Sequence, residues 1–333
     1  MHFIVLGAGA IGCYVGGRLA AGGRRVTLVG RPRVIDNLRR DGLLVSDMDG
    51  FRAQVQPRQI ALATSLSHVP MHPDCAVLLC VKGGATEAAA LQIAACCPSG
   101  TLVVSLQNGV DNLARITAIA PNMKTLAGMV ACNVVMPAAG HAHRATSGKL
   151  YLQRTSVTRE MALLLNACGL GTELADDMRP VQWGKLLLNL NNPVNALSDL
   201  PLRAQLLDRD YRRVLADLQD EALAVMQRAG ITPARIAAVS PRLMPRLLRL
   251  PNWLFSLVAA RMLRIDAQAR SSMWDDLQRG RITEIDDLCG AVVRLAAQVG
   301  SSAPRNAAMC KLVGAHHRGT RLSGPELRIA ATQ

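Results

Sequence analysis

The sequence predicts an α/β fold, a doubly wound and largely parallel sheet, followed by an all-α domain. Three observations carry this prediction. Short continuous apolar runs, which suit strands buried on both faces, alternate with helical patterns through the first half of the chain. The first run, residues 3–6, opens directly into Gly7-Ala8-Gly9-Ala10-Ile11-Gly12 and a helix. From about Met178 onward the apolar residues recur at long helical spacing instead.

Each glycine of the first loop has its own task. Gly7 permits the tight turn, Gly9 lets backbone approach a pyrophosphate, and Gly12 lets the following helix pack close to the strand. The phosphates would rest on the N–H groups and the positive dipole end of a helix over residues 10–21. Gly22 and Gly23 end that helix and a second strand, residues 26–29, completes a Rossmann-type unit. Gly7, Ala8, Gly9, Ala10, Ile11 and Gly12 are therefore candidate cofactor contacts. In such a unit the end of the second strand meets the adenosine ribose, where an acidic residue suits NAD and an Arg suits the 2′-phosphate of NADP. Here the strand runs into Val29-Gly30-Arg31-Pro32-Arg33, with no carboxylate before Asp36. Arg31, with Arg33 as a further contact, points to NADP(H).

Residues 36–40 read as a short helix, with turns at Asp41-Gly42 and Asp49-Gly50. Residues 75–81 form the next apolar strand, followed by Lys82-Gly83-Gly84 and a crossover helix over residues 85–97. A strand at 101–106 ends in Gln107-Asn108-Gly109, which places Asn108 and Lys82 at the same sheet edge as the glycine loop. Asn-Gly is also an ordinary turn pair. Residues 125–153 alternate more and suggest antiparallel strands that complete the sheet.

With a boundary near Asp177, the chain divides into an NADP-binding domain, 1–177, and a helical substrate and catalytic domain, 178–333. Helical patterns cover residues 179–196, 209–229, 241–264, 266–279 and 282–299. In the first of these, Lys185, Asn189 and Asn192 fall at i, i+4 and i+7 on one stripe of a leucine-rich helix. Buried amides and a buried ammonium need polar partners, so the stripe faces a ligand, water or another polar surface. Only five of 38 basic residues are Lys, and Lys, unlike Arg, can be tuned to donate a proton. Lys185 is the candidate general acid. A second cluster is Ser271-Ser272-Met273-Trp274 and Thr283-Glu284, where Ser272 could donate to a carboxylate and Glu284 accept from a hydroxyl or amide. Thr283 and Glu284 equally suit a helix start, with Asp286 and Asp287 favoured by the dipole. Arg242, Arg246 and Arg249 beside Trp253-Leu254-Phe255 read as an amphipathic helix near the cleft or at a subunit contact, as in a homodimer.

A net charge of +14 invites a nucleic-acid reading, but the charge is spread along the chain and aromatics make up only 3%. Positive potential also suits a phosphorylated cofactor and a small anionic substrate. No apolar run approaches the ~18 residues of a membrane span. The nine cysteines are scattered without a CxxC pair, as expected of small buried hydrophobes in a reducing, cytoplasmic compartment. His141-x-His143 and His316-His317 lack nearby acidic or Cys partners in sequence, so no metal site is expected.

Taken in order, GAGAIG at 7–12, Arg31, Lys82, QNG at 107–109, WGKLLLN at 183–189, NPVNAL at 192–197 and SSM…TEID over 271–286 resemble the ketopantoate reductase (2-dehydropantoate 2-reductase) family. The resemblance covers nearly the whole chain. It implies a Rossmann domain, a C-terminal domain like that of 6-phosphogluconate dehydrogenase, and NADPH-dependent reduction of ketopantoate to pantoate in the cleft between them, in pantothenate synthesis. It implies Lys185 as proton donor to the carbonyl oxygen, Asn189 and Asn192 holding Lys185 and substrate, and Ser272 binding the substrate carboxylate. Glu284 would contact cofactor and substrate hydroxyl; Lys82 and Asn108 would line the cofactor side, with Asn108 also counted as substrate-binding. Two departures stand out. The family places its second Asn eight residues after the Lys, whereas Asn192 lies seven after Lys185, with Asn191 at six. A further Asn is replaced by Pro201-Leu202-Arg203, where Arg203 could serve as a carboxylate partner. The alternatives are a reductase for another 2-oxo acid and a non-catalytic NADP(H)-binding sensor.

Overall fold

The computed structural model describes residues 1–260, 263, 268–317 and 319–332. The chain forms two compact units, Met1–Met178 and Arg179–Gln333. The first begins β1 (His2–Leu6), α1 (Ala10–Ala21), β2 (Val26–Val29) and α2 (Pro32–Asp41). It continues β3 (Leu43–Asp47), β4 (Arg52–Val55), β5 (Ala61–Ala63), β6 (Cys75–Leu79), α3 (Thr86–Cys96), β7 (Leu102–Ser105) and α4 (Asn112–Ile119). Then come β8 (Lys124–Val130), β9 (Val134–Ala138), β10 (His141–Arg144), β11 (Leu150–Gln153), α5 (Ser156–Ala167) and β12 (Thr172–Ala175).

Eight strands make the main sheet in the order β12-β11-β8-β7-β6-β1-β2-β5. From β5 to β8 all neighbours are parallel, and their order is that of a dinucleotide-binding sheet, with its switch point between β1 and β6. The predicted fold class is therefore the observed one. The pleat explains the two cores. Phe3 and Val5 share one face with Tyr14, Leu28 and Val45, while Ile4 and Leu6 share the other with Val77, Leu79, Ile93 and Ile116. Each such buried aliphatic or aromatic side chain contributes about 1.5–3 kcal/mol.

Residues 125–153 depart from the expectation that all of them complete this sheet. β8 pairs parallel to β7 and β11 returns antiparallel to β8, but β9 and β10 join a second sheet, β4-β3-β10-β9. Alternation indicates a half-buried strand without saying which sheet receives it; long-range pairing decides. The second sheet lies on α1, where a Cβ at Gly17 would sit 2.2 Å from Val45 Cγ2. Arg18 clamps the two together. Its Nη1 donates to Asp47 Oδ2 at 3.1 Å, its Nε donates to Cys168 O at 2.9 Å, and its guanidinium stacks on Phe51 at 3.6 Å. Burial alone would raise the pKa of Asp47, but N–H donation from Phe51 and Asp49 and the Arg144 guanidinium hold it below the usual carboxylate value. On the same sheet Ser46 Oγ lies 2.7 Å from His141 Nε2 and 2.8 Å from His143 Nδ1.

The second unit is helical: α6 (Arg179–Asn189), α7 (Asn191–Ser198), α8 (Leu202–Leu207), α9 (Arg209–Arg228), α10 (Met244–Leu248) and α11 (Asn252–Val258). It ends with α12 (Ser272–Gln278), α13 (Ile285–Gln298), α14 (Pro304–Gly314) and α15 (Gly324–Ala330). α9 is the axis, with α7, α8, α10, α13, α14 and α15 packed on it. Arg212 is fully buried there. Its guanidinium donates to the carbonyls of Leu206, Leu248 and Leu250 and stacks on Phe255.

Two predicted helices are broken by proline. The 179–196 pattern splits at Leu190, because Pro193 has no N–H to donate to Asn189 O and its ring crowds that carbonyl. Asn192 therefore stands on α7 rather than on the helix of Lys185. The 241–264 pattern becomes α10 and α11, with Pro245 in the first turn of one and Pro251 capping the other. The end of that pattern and the start of the 266–279 pattern lie outside the described residues. Arg249, expected on an amphipathic face, pairs with Asp217 at 2.5 Å and Asp220 at 2.5 Å on α9. No helix among the described residues is long and apolar enough to cross a membrane.

Candidate active site

In the N-terminal unit the candidate residues gather at the carboxyl ends of β1, β2, β6 and β7. Gly7 has φ +116°, and a Cβ there would lie 2.7 Å from the Cys80 carbonyl carbon and the Val81 nitrogen. A Cβ at Gly12 would lie 2.0 Å from Gly7 O, so only glycine lets α1 start this close to the turn. Gly9 is different. A Cβ there meets nothing within 4 Å, so its glycine is not required by the protein's own packing. Gly9 is also the N-cap of α1, with no side chain to cap and no acidic residue in the first turn. Ala8, Ala10 and Ile11 complete the loop, and Gly30 keeps space for it, since a Cβ at Gly30 would lie 2.5 Å from Ala8 Cβ. The N–H groups of Ala10, Ile11 and Gly12 in the first turn of α1 and this open face fit a dinucleotide pyrophosphate, while the Gly7 and Ala8 N–H groups donate to Val29 O and that of Gly9 to Gly7 O.

Arg31 is exposed two residues after β2, at the N-cap position of α2 but with no side-chain capping hydrogen bond, with Pro32 in the first turn and Arg33 exposed beside it. Asp36, the first carboxylate downstream, pairs with Arg39 at 3.0 Å. Lys82 is exposed after β6 and Asn108 half-buried after β7. Cys13 and Cys80 flank the loop below. Burial pushes the Cys13 thiol up to about 12 and that of Cys80 higher still, so both act as small apolar groups.

In the helical unit, Lys185 and Asn189 are half-buried one turn apart on α6, while Trp183, Leu186 and Leu187 are buried. Gly184 lets the segment after α9 lie against α6: a Cβ there would meet Ala234 O at 2.4 Å. Asn192 is half-buried on α7. Asn195, to which the sequence reading assigns no role, is fully buried between two segments. Its Oδ1 accepts the Ser271 N–H at 2.8 Å and its Nδ2 donates to Leu200 O at 2.9 Å. Ser271 Oγ in turn donates to Asn192 O at 3.2 Å and accepts the Trp274 N–H at 3.2 Å, as the N-cap of α12. The two serines thus divide: Ser271 is a buried tie between α7 and α12, and Ser272 is exposed in the first turn of α12. NPVNAL holds the available signal for Asn195, which follows Asn192 by three residues amid Pro193, Val194, Ala196 and Leu197.

Glu284 is half-buried at the N-cap position of α13, but its side chain makes no capping hydrogen bond; Asp286 and Asp287 occupy the acidic first turn. Arg203 is exposed in the first turn of α8, whose Leu202 N–H donates to Ala269 O at 2.8 Å near the Ser271 segment. Trp274 Nε1 donates to Asp199 Oδ1 at 2.6 Å, and Arg270 both stacks on that indole and pairs with Asp199 at 3.2 Å. Among the described residues no group of three or more His, Cys, Asp or Glu could hold a metal ion.

Family models match both units. One described as ketopantoate reductase PanE/ApbA matches residues 3–156, and one described as its C-terminal part matches residues 177–317. The chain is 30% identical to the 2-dehydropantoate 2-reductase of Halobacterium salinarum over 303 residues, 89% of this chain and 92% of that protein. The crystal structure of a PanE/ApbA family ketopantoate reductase from Ralstonia eutropha JMP134 aligns with a TM-score of 0.78 at 29% identity, covering 94% of this chain and 97% of that one. A D-mandelate dehydrogenase solved with NADH and anilino(oxo)acetate shares the fold, with a TM-score of 0.77 at 21% identity over 95% and 98% of the two chains.

Proposed function

The chain belongs to the ketopantoate reductase family, and from that premise we propose that it reduces the 2-oxo acid ketopantoate to pantoate with NADPH, a step of pantothenate and coenzyme A synthesis. Residues 1–177 hold the cofactor in this reading and 178–333 carry the substrate-side residues. The Gly7–Gly12 backbone takes the pyrophosphate, Arg31 takes the 2′-phosphate, and Lys82, Asn108 and Glu284 contact the rest of the dinucleotide. When bound, NADPH supplies the hydride from nicotinamide C4. Lys185 gives the proton to the carbonyl oxygen, so that the ketone becomes a secondary alcohol. Asn189 and Asn192 orient Lys185 and the substrate carbonyl, Asn108 adds a substrate contact, and Ser272 donates to the substrate carboxylate.

The observation that carries the reading is Lys185 and Asn189, half-buried one turn apart on a helix whose other faces are filled by Trp183, Leu186 and Leu187. A second reading, a reductase for another 2-oxo acid, is favoured by the break at Pro193 that moves Asn192 to α7 and by Arg203 on α8. NADPH oxidation with ketopantoate and a panel of other 2-oxo acids tests both. Turnover of ketopantoate above all others is expected. Preference for another acid selects the second reading, and tight NADPH binding without any turnover makes the protein a sensor.

A further inference from the structure

A chain of buried polar side chains joins the loops that follow β6 and β7. Ser105 Oγ donates to Gln107 Oε1 at 3.0 Å. Gln107 Nε2 donates to Thr86 Oγ1 at 2.7 Å and to Val81 O at 3.0 Å. Thr86 Oγ1 donates onward to Asn112 Oδ1 at 3.0 Å, and Asn112 Nδ2 donates to Asn108 O at 2.5 Å. All four side chains are at most 5% exposed. The donors run in one direction, so each bond polarises the next, and Gln107 uses both of its amide hydrogens. Its acceptors lie on different elements. Val81 directly precedes Lys82, Thr86 opens α3, and Gln107 itself directly precedes Asn108.

We infer that Gln107 is a positioning residue: through Thr86, Asn112 and the Val81 carbonyl it sets Lys82 and Asn108 relative to one another, and with them the nicotinamide half of the bound cofactor. The inference rests on the NADPH reading above. Strand order says which half is concerned. β2, with Arg31, lies on one side of β1, and β6 and β7 lie on the other. A dinucleotide across the switch point puts its adenosine half at β2 and its nicotinamide half at β6 and β7. An ordinary Asn-Gly turn would shape residues 107–109 from its own backbone and would need no buried amide. Here an apolar side chain at 107 would leave Val81 O and Thr86 without their donor, and the two loops would no longer be tied.

The test compares NADPH with 2′,5′-ADP, which carries only the adenosine half. Gln107→Met keeps the length of the side chain and removes its hydrogen bonds. Its Kd for NADPH, from nicotinamide fluorescence, should rise about tenfold, while its Kd for 2′,5′-ADP, from calorimetry, should stay within about twofold. The Thr86→Val and Thr86→Ser pair reads the same ratio independently: Val should raise it and Ser, which keeps the hydroxyl, should restore it. An unchanged ratio in the variants, whether both ligands weaken together or neither does, overturns the inference. A wild-type protein that binds neither ligand would instead overturn the cofactor reading, and the inference with it.

Discussion

Between residues 7 and 12 the chain presents backbone, stripped of side chains at three glycines, whereas between residues 185 and 192 it presents an ammonium and carboxamides on leucine-packed helices. In the first region Gly7 and Gly12 are forced by contacts with Cys80, Val81 and the loop's own carbonyl, and Gly9 by nothing in the protein. In the second, the polar groups sit where the helix is half-buried, and Pro193 decides which helix carries which group. The two regions fail in opposite ways. A backbone site is damaged by adding atoms, and a side-chain site by removing them.

The largest expected effect is at Lys185. Lys185→Ala should lower kcat by about 10²–10⁴-fold, with the Kd for NADPH changed less than about threefold. Lys185→Arg should not restore the rate, because a guanidinium does not release its proton. A modest loss in stopped-flow or steady-state assays of either variant would remove Lys185 from the chemistry. The glycines provide the converse. Gly12→Ala should destabilise the protein by about 1–3 kcal/mol or more, from the collision with Gly7 O. Gly9→Ala should leave the melting temperature close to wild type and still weaken NADPH about tenfold. Equal thermal losses in the two variants would show that Gly9, too, is a packing residue.

Arg31 tests a side chain within the backbone-built region. Arg31→Ala should raise the KM for NADPH about ten- to a hundredfold, as expected for loss of charge-assisted hydrogen bonds, and leave NADH nearly unchanged. Parallel changes in both cofactors would assign Arg31 elsewhere. The smallest effect concerns pH. Burial lowers the pKa of both His2 and His141 below 6.5, with neighbouring positive charges, chiefly Arg25 and His143, adding to it. The fold therefore prefers neutral imidazoles: their contribution is complete above 6.5 and is lost as pH falls through the folded values. Asp47, held low, adds stability that is lost only below its ordinary value of 3.8. Melting temperatures across pH 7.5 to 5 should decline, and less so in His141→Asn. An identical decline in that variant would exclude His141 as a contributor.

Much of the architecture was legible locally. β1, α1 and β2 follow from a four-residue apolar run, spaced glycines and a Gly-Gly stop, and the observed bounds differ from the expected ones by a residue at most. β6, α3 and β7 were legible for the same reason. β3, β4, β5 and β12 were not, because short strands with mixed burial carry little periodicity. α5 begins with a Thr155–Thr158 capping box, a signal that lies wholly within four residues of sequence. For the candidate site, motif and resemblance supply the list of residues. They do not supply the roles of Ser271, Asn195 and Gln107, whose partners lie as far as 79 residues away in sequence.

By itself the sequence determined the fold class, the sheet edge that carries the glycine loop, and the family. These depend on local patterns, since strand burial, turn chemistry and helix periodicity are written within about twenty residues. Tertiary structure alone decided that residues 134–144 leave the main sheet for one on α1, and that Ser271 is tied inward while Ser272 faces out. It also joined Lys82 and Asn108 through one buried amide. In each case the deciding term is a hydrogen bond or a close contact between distant segments, and no local pattern encodes the partner of a buried donor.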